Sequence, residues 1–109
     1  MRVLRFIVED QIIKKDPTCD FTGLVPGSSG YFTAEFAFSK EWDGCAKVAA
    51  FYSPLGREYP PRALYDGKTC VIPFEALAKR IFKVQIIGQK DDLKLTTNKL
   101  VISQNGGKK

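Results

Sequence analysis

Apolar residues along this chain recur at every second position far more often than at helical spacing. The clearest stretch is YFTAEFAFS, residues 31–39. There Phe32, Ala34, Phe36 and Phe38 fall on one face, while Tyr31, Thr33, Glu35 and Ala37 fall on the other. A period of two places alternate side chains on opposite sides of an extended backbone, so a strand with one buried face is expected. RVLRFIV at 2–8 alternates less cleanly, with Leu4, Phe6 and Val8 on the core side. CAKVAAFYS reads as a further strand, stopped by Ser53-Pro54-Leu55-Gly56. Near the C-terminus Phe82, Val84 and Ile86 alternate with Lys83 and Gln85. Gln89-Lys90-Asp91-Asp92 then turns the chain, Leu93-Lys94-Leu95 pairs back, and Leu100 and Ile102 face the core from a last strand.

The connections follow from the turn formers. Pro17, Gly23, Pro26, Gly27 and Gly30 mark a long loop, interrupted at most by a short strand at Cys19–Thr22, with its most mobile part at Gly27–Gly30. Pro60 and Pro61 cannot donate to a central ladder and point to an edge segment. Asp66-Gly67, set between Ala63-Leu64-Tyr65 and Thr69-Cys70-Val71-Ile72, is a hairpin signal. PFEALAKR, residues 73–80, is the one helical candidate. Pro73 suits its first position, Glu75 its first turn and Lys79-Arg80 its last, with Phe74, Leu77 and Ala78 sharing a face. Together these elements predict an all-β protein of about six to eight short strands with one short helix. Its architecture is an antiparallel β-sandwich, immunoglobulin-like or jelly-roll-like, or else a small barrel.

A length of 109 residues fits one domain, assigned here to residues 1–104, with 105–109 as a flexible tail. The 17 basic residues against 12 acidic ones give a net charge of +5. No basic run long enough to form a polybasic tail occurs, so the bias reads as a solvated surface. MRVLRFIVEDQ turns acidic too early for a signal peptide, and no segment approaches the roughly 20 apolar residues of a membrane span. Action in the cytosol, or travel as part of an assembly, is therefore expected.

Candidate chemistry is sparse. The chain has no histidine, which removes the commonest general base and the usual nucleophile-activating partner. Cys19, Cys45 and Cys70 are widely spaced and, without histidine, make an incomplete zinc set; reduced, partly buried thiols are expected. Glu35 with Glu41 or Asp43, and Asp91 with Asp92, are the available carboxylate pairs, the last reading as a turn. GSSG and NGG do not open a helix after a strand, so no phosphate cradle is indicated. A non-enzymatic protein with neither cofactor nor metal is expected. Tyr31, Phe51, Tyr52, Tyr59 and Tyr65 could stack bases beside Arg57, Arg62 and Lys68, but alternation sends Phe51 and Tyr52 to opposite faces. Nucleic acid is thus an unfavoured partner.

Trp42, the one tryptophan, lies between Phe36, Phe38 and the turn Asp43-Gly44. The small side chains of Ala46, Val48 and Ala50 that follow leave room for an indole laid across them, which makes Trp42 a structural plug at a sandwich corner. The expected core is Phe36, Phe38, Trp42, Phe51, Val84 and Ile86.

The order YFTAEFAFSKEWDGCAKVAAF, TCVIPFEALA, KVQIIG and LTTNKLVI, closing with GG, resembles a family of β-modules of phages and prophages of Gram-positive bacteria. Such modules occur among head and tail structural proteins, and the resemblance runs from about residue 3 to 107. It implies a virion component made in the bacterial cytoplasm: a capsid decoration or head-fibre protein, or a small tail or baseplate piece. Its partners would be other phage structural proteins, within a homo-oligomer or symmetric assembly and without a membrane. A phage-encoded intracellular protein that sequesters a host defence factor or a small ligand is the alternative. Surface logic offers Arg57, Tyr59, Arg62 and Tyr65 as candidate partner contacts. The segments offered are Arg2–Val8, Pro17–Gly30 and Pro54–Arg62.

Overall fold

The alternating stretches become strands β1 (Arg2–Glu9), β2 (Ile12–Lys15), β3 (Phe32–Phe38) and β4 (Ala46–Tyr52) in a computed structural model. They are followed by β5 (Arg62–Ala63), β6 (Thr69–Val71), helix α1 (Phe74–Leu77), β7 (Ile81–Lys90), β8 (Leu93–Thr96) and β9 (Leu100–Ser103). The structure describes residues 1–104, and the tail expected at 105–109 lies outside the described residues. One sheet runs β2-β1-β3-β6, and the other runs β5-β4-β7-β8 with β9 also paired to β7. Leu4, Phe6, Val8, Phe32, Ala34 and Phe36 from the first sheet share one buried cluster with Ala49, Phe51, Phe82, Val84, Ile86 and Ile102 from the second. The protein is an all-β sandwich with one short helix. Burial of this shared face is the main stabilising contribution.

The sheets are not wholly antiparallel as expected. β1 and β3 pair in parallel, from Arg2↔Phe32 to Val8↔Phe38. A parallel pair needs a long crossover, and the segment 16–31 between β2 and β3 supplies it. That segment contains no strand at Cys19–Thr22. The Asp16 carboxylate instead accepts from the Thr18 N–H and hydroxyl (2.8 and 2.7 Å), and Asp20 does the same for Thr22 (2.8 and 2.6 Å). Two such side-chain turns in succession compete with extended backbone. Their hydrogen bonds also hold both carboxyls below the ordinary range. Within the segment offered as a contact, Phe6–Val8 lies between β2 and β3 and cannot add a foreign strand, whereas Arg2–Arg5 is paired to β3 alone.

Asp66-Gly67 does turn the chain, with positive φ at both residues and a bridge between Tyr65 and Thr69. The flanking strands nevertheless part, β5 joining β4 and β6 joining β3, so the expected hairpin is a crossing between sheets. Helix α1 is also shorter than expected. Pro73 stands at its N-cap, and only Phe74–Leu77 are helical. The Leu77 carbonyl accepts from Gly27 N–H (2.8 Å) and from the Gln104 amide (3.1 Å), which also bonds the Lys79 carbonyl (2.8 Å). With its last carbonyls already satisfied, the turn stops and the chain enters β7.

β8 and β9 are one strand interrupted at Thr97-Asn98-Lys99, where three residues oppose Gln85-Ile86 on β7. The Thr97 hydroxyl accepts the Ile86 N–H (3.0 Å) in place of a ladder carbonyl. Asn98 is thereby aimed at the other sheet, where its side chain accepts the Ile13 N–H (2.8 Å) and donates to the Ile13 carbonyl (3.4 Å). This bulge stitches the two sheets together and covers the β2 edge.

Candidate functional site

Trp42 ends a 3-10 turn, Lys40–Trp42, that begins as the chain leaves β3. It is fully buried, and its indole N–H donates to the Asp10 carbonyl (2.7 Å) in the β1–β2 turn. Phe38 packs against it with ring centroids 5.4 Å apart, and Phe36 continues the row. The indole does not lie across Ala46, Val48 and Ala50 as the sequence suggests. It lies on β7 at Gly88, where an added Cβ would stand 2.7 Å from its Cζ3 and 2.9 Å from its Cε3. Ala46, Val48 and Ala50 belong to the other face of β4, since Ala49 and Phe51 are the residues in the core cluster. A glycine inside a strand indicates close approach of another group, and Gly88 is the residue that sequence reasoning missed. Phe36, Trp42, Phe51, Val84 and Ile86 are buried; Phe38 is only partly so, at the rim of the cluster.

An apolar cleft of about 850 Å³ opens at α1, separate from Trp42, between the helix and the loop that follows β4. The loop is held as a tight hairpin tip. Ser53 N–H donates to the Arg57 carbonyl (2.8 Å), Gly56 N–H to the Ser53 carbonyl (2.9 Å), and Arg57 N–H to the Ser53 hydroxyl (2.9 Å). Gly56 has φ +95°, which the reversal requires. Leu55 at the tip is 99% exposed. On the opposite wall Phe74 is 57% exposed, because Ala76 and Leu77 rather than Phe74 and Ala78 carry the buried face of α1. Arg57, Glu58, Glu75 and Lys79 are the charged residues of the walls, and Tyr59 forms part of the floor.

Of the four expected partner contacts, the cleft brings together only Arg57 and Tyr59. Tyr59 is 8% exposed, since its ring joins the core cluster and its N–H donates to the Phe51 carbonyl (2.8 Å). It is therefore a floor residue rather than a free surface contact. Arg62 sits exposed in β5, outside the cleft, and Tyr65, 80% exposed, sits on the turn before β6. Leu55 falls within the expected contact segment Pro54–Arg62, whereas Phe74 and Glu75 are cleft residues that the sequence did not mark as contacts. A leucine placed between Pro54 and Gly56 is the signal that could have marked the exposed tip.

The remaining chemistry is dispersed. Glu35 is paired to Arg5 at 2.9 Å rather than to another carboxylate. All three cysteines are free, and burial pushes the Cys70 thiol up to about 12 against a smaller downward pull from Arg62. Cys70 thus stays protonated and unreactive near neutral pH. Burial, and secondarily the charge of Glu58, raises the Tyr52 hydroxyl above its ordinary value. That hydroxyl donates to Gln85 Oε1 (2.7 Å), and Gln85 in turn donates to the Thr97 carbonyl (2.7 Å), which ties the outer face of the second sheet to the bulge. Among the described residues no three cysteine or carboxylate side chains group as metal ligands, and no helix is long and apolar enough to cross a membrane. No protein-family model, no curated protein and no solved structure matches this chain.

Proposed function

We propose that this protein is a non-enzymatic structural component of a phage particle. It would serve as a capsid decoration or head-fibre protein, or as a small tail or baseplate piece, with the cleft beside α1 as a protein-docking surface within the assembly. The observation that carries this reading is the pair of large apolar side chains, Leu55 and Phe74, presented to solvent on facing walls of one cleft. Exposed apolar groups gathered in a concave patch with a charged rim are characteristic of protein docking surfaces. The resemblance of the strand, Trp42 and Thr97-Asn98 segments to phage head and tail modules supplies the setting.

The cleft volume of about 850 Å³ also falls in the range of small-molecule pockets, and this favours a second reading as an intracellular protein that sequesters a ligand. Particles banded from an infected or induced host separate the two. The structural reading expects this chain in the purified particles in fixed stoichiometry with the other virion proteins. Abundance in the lysate with none in the banded particles would sink it.

A further inference from the structure

We infer that the cleft beside α1 closes against the same cleft of a second copy of this chain, forming a two-fold dimer. The inference rests on reading the cleft as a protein-docking surface and names its occupant. Its first support is the distribution of charge. Arg57 and Lys79 supply two positive charges to the walls, and Glu58 and Glu75 supply two negative ones. None of the four is in an ion pair within the chain: among the described residues the pairs are Arg5–Glu35 and Lys14–Glu9. A two-fold contact places one patch against itself, so residue i meets j and j meets i. A patch with both signs in equal number meets its own copy without net repulsion, and pairing Arg57 with Glu75 across the axis sets opposite charges together. A strongly acidic or strongly basic partner would instead set like charge against like.

The second support is unspent hydrogen-bonding capacity in the same place. Tyr59 Oη and Glu75 Oε1, both on cleft residues, are buried oxygens without a partner. A buried acceptor left unpaired is costly. Arg57 or Lys79 of the opposing copy is a donor that would relieve it after the small side-chain rotations common on docking. The third support is Leu55. Its hydrogen-bonded tip holds a fully exposed apolar side chain at the cleft mouth. Across a two-fold axis each Leu55 enters the other copy's cleft beside Phe74, as an anchor residue enters a pocket.

The test is sedimentation velocity of the full chain from about 1 to about 100 µM, the span in which an interface of ordinary size reveals itself. A monomer–dimer equilibrium is expected. Leu55→Asp should weaken it by more than about tenfold, as loss of a central anchor does. Leu93→Asp, on an exposed strand position outside the cleft, should leave it unchanged. Arg57→Glu should weaken association, and Arg57→Glu with Glu75→Arg should restore it. A chain that is monomeric throughout, or a dimer indifferent to Leu55→Asp, overturns the inference. A monomer that still bands with particles would remove the dimer and leave the particle reading standing; a dimer absent from particles would do the reverse.

Discussion

Trp42→Ala is expected to lower stability by about 3–5 kcal/mol, the usual cost of deleting a large buried aromatic side chain. Domains of this size have only about 5–15 kcal/mol in total, so the variant should stand at the edge of unfolding. The size of the effect follows from position. The indole is fully buried, packs against Phe38, and closes the core where β3 leaves its sheet and β4 enters the other. Its N–H bond to the Asp10 carbonyl also fixes the β1–β2 turn, in which Asp10 holds φ +53°. Trp42→Phe keeps most of the apolar volume and loses that bond, and should cost less than the alanine variant. Urea unfolding followed by circular dichroism measures both. A Trp42→Ala protein that unfolds cooperatively at nearly the native midpoint would contradict the plug.

Gly88→Ala should destabilise by at least the roughly 1–3 kcal/mol typical of overpacking a close-fitted core, although it adds only a methyl group. The new Cβ would stand 2.7 and 2.9 Å from two carbons of the indole and 3.3 Å from Cys45 Cβ. The indole is immobilised by its hydrogen bond and its aromatic neighbour, so it cannot swing aside as the end of a lysine would. The two substitutions should therefore be strongly coupled. In the Trp42→Ala background the Cβ enters the space the indole has left, and Gly88→Ala should become nearly neutral or stabilising. Direct contact of this kind gives interaction energies of about 0.5–3 kcal/mol in double-mutant cycles. Additive losses would show that the two residues do not touch.

The sheets were legible because alternation reports burial directly. Phe32, Ala34 and Phe36 are buried as the period of two requires, and so are Phe82, Val84 and Ile86. Partnering was less legible, since period two says which face is buried and nothing about which strand lies alongside. The parallel β1–β3 pair depends on a crossover loop whose course is set by the Asp16 and Asp20 turns and by buried Leu24. Asp66-Gly67 turns the chain where the sequence expects it to, yet the strands on either side answer to different sheets. Local turn chemistry cannot report that, because the choice is made by distant edge partners.

The cleft was harder to read than the core. Phe74, Leu77 and Ala78 share a face on an eight-residue helix, but a single turn capped by Gln104 buries Ala76 and Leu77 and releases Phe74 to the surface. Tyr59 follows the Leu55 loop in a segment the sequence marks as surface, yet its N–H pairs with the Phe51 carbonyl and its ring lies in the core. Arg57, Arg62 and Tyr65 are all exposed, but Arg62 and Tyr65 sit apart from the cleft because β5 runs back along β4 at Val48 and Ala49, away from the loop tip. What sequence conveys poorly here is the outcome of backbone hydrogen bonds made across long separations.

Acrylamide quenching of the native protein's tryptophan emission bears most directly on whether the aromatic residues fill an interior and leave the work to the surface. The chain has a single tryptophan, so the whole signal belongs to Trp42. A blue-shifted band with little quenching, recovering free quenching only in denaturant, is the expected result. An emission maximum near that of indole in water, quenched as readily in the native state as in the unfolded one, would contradict the account.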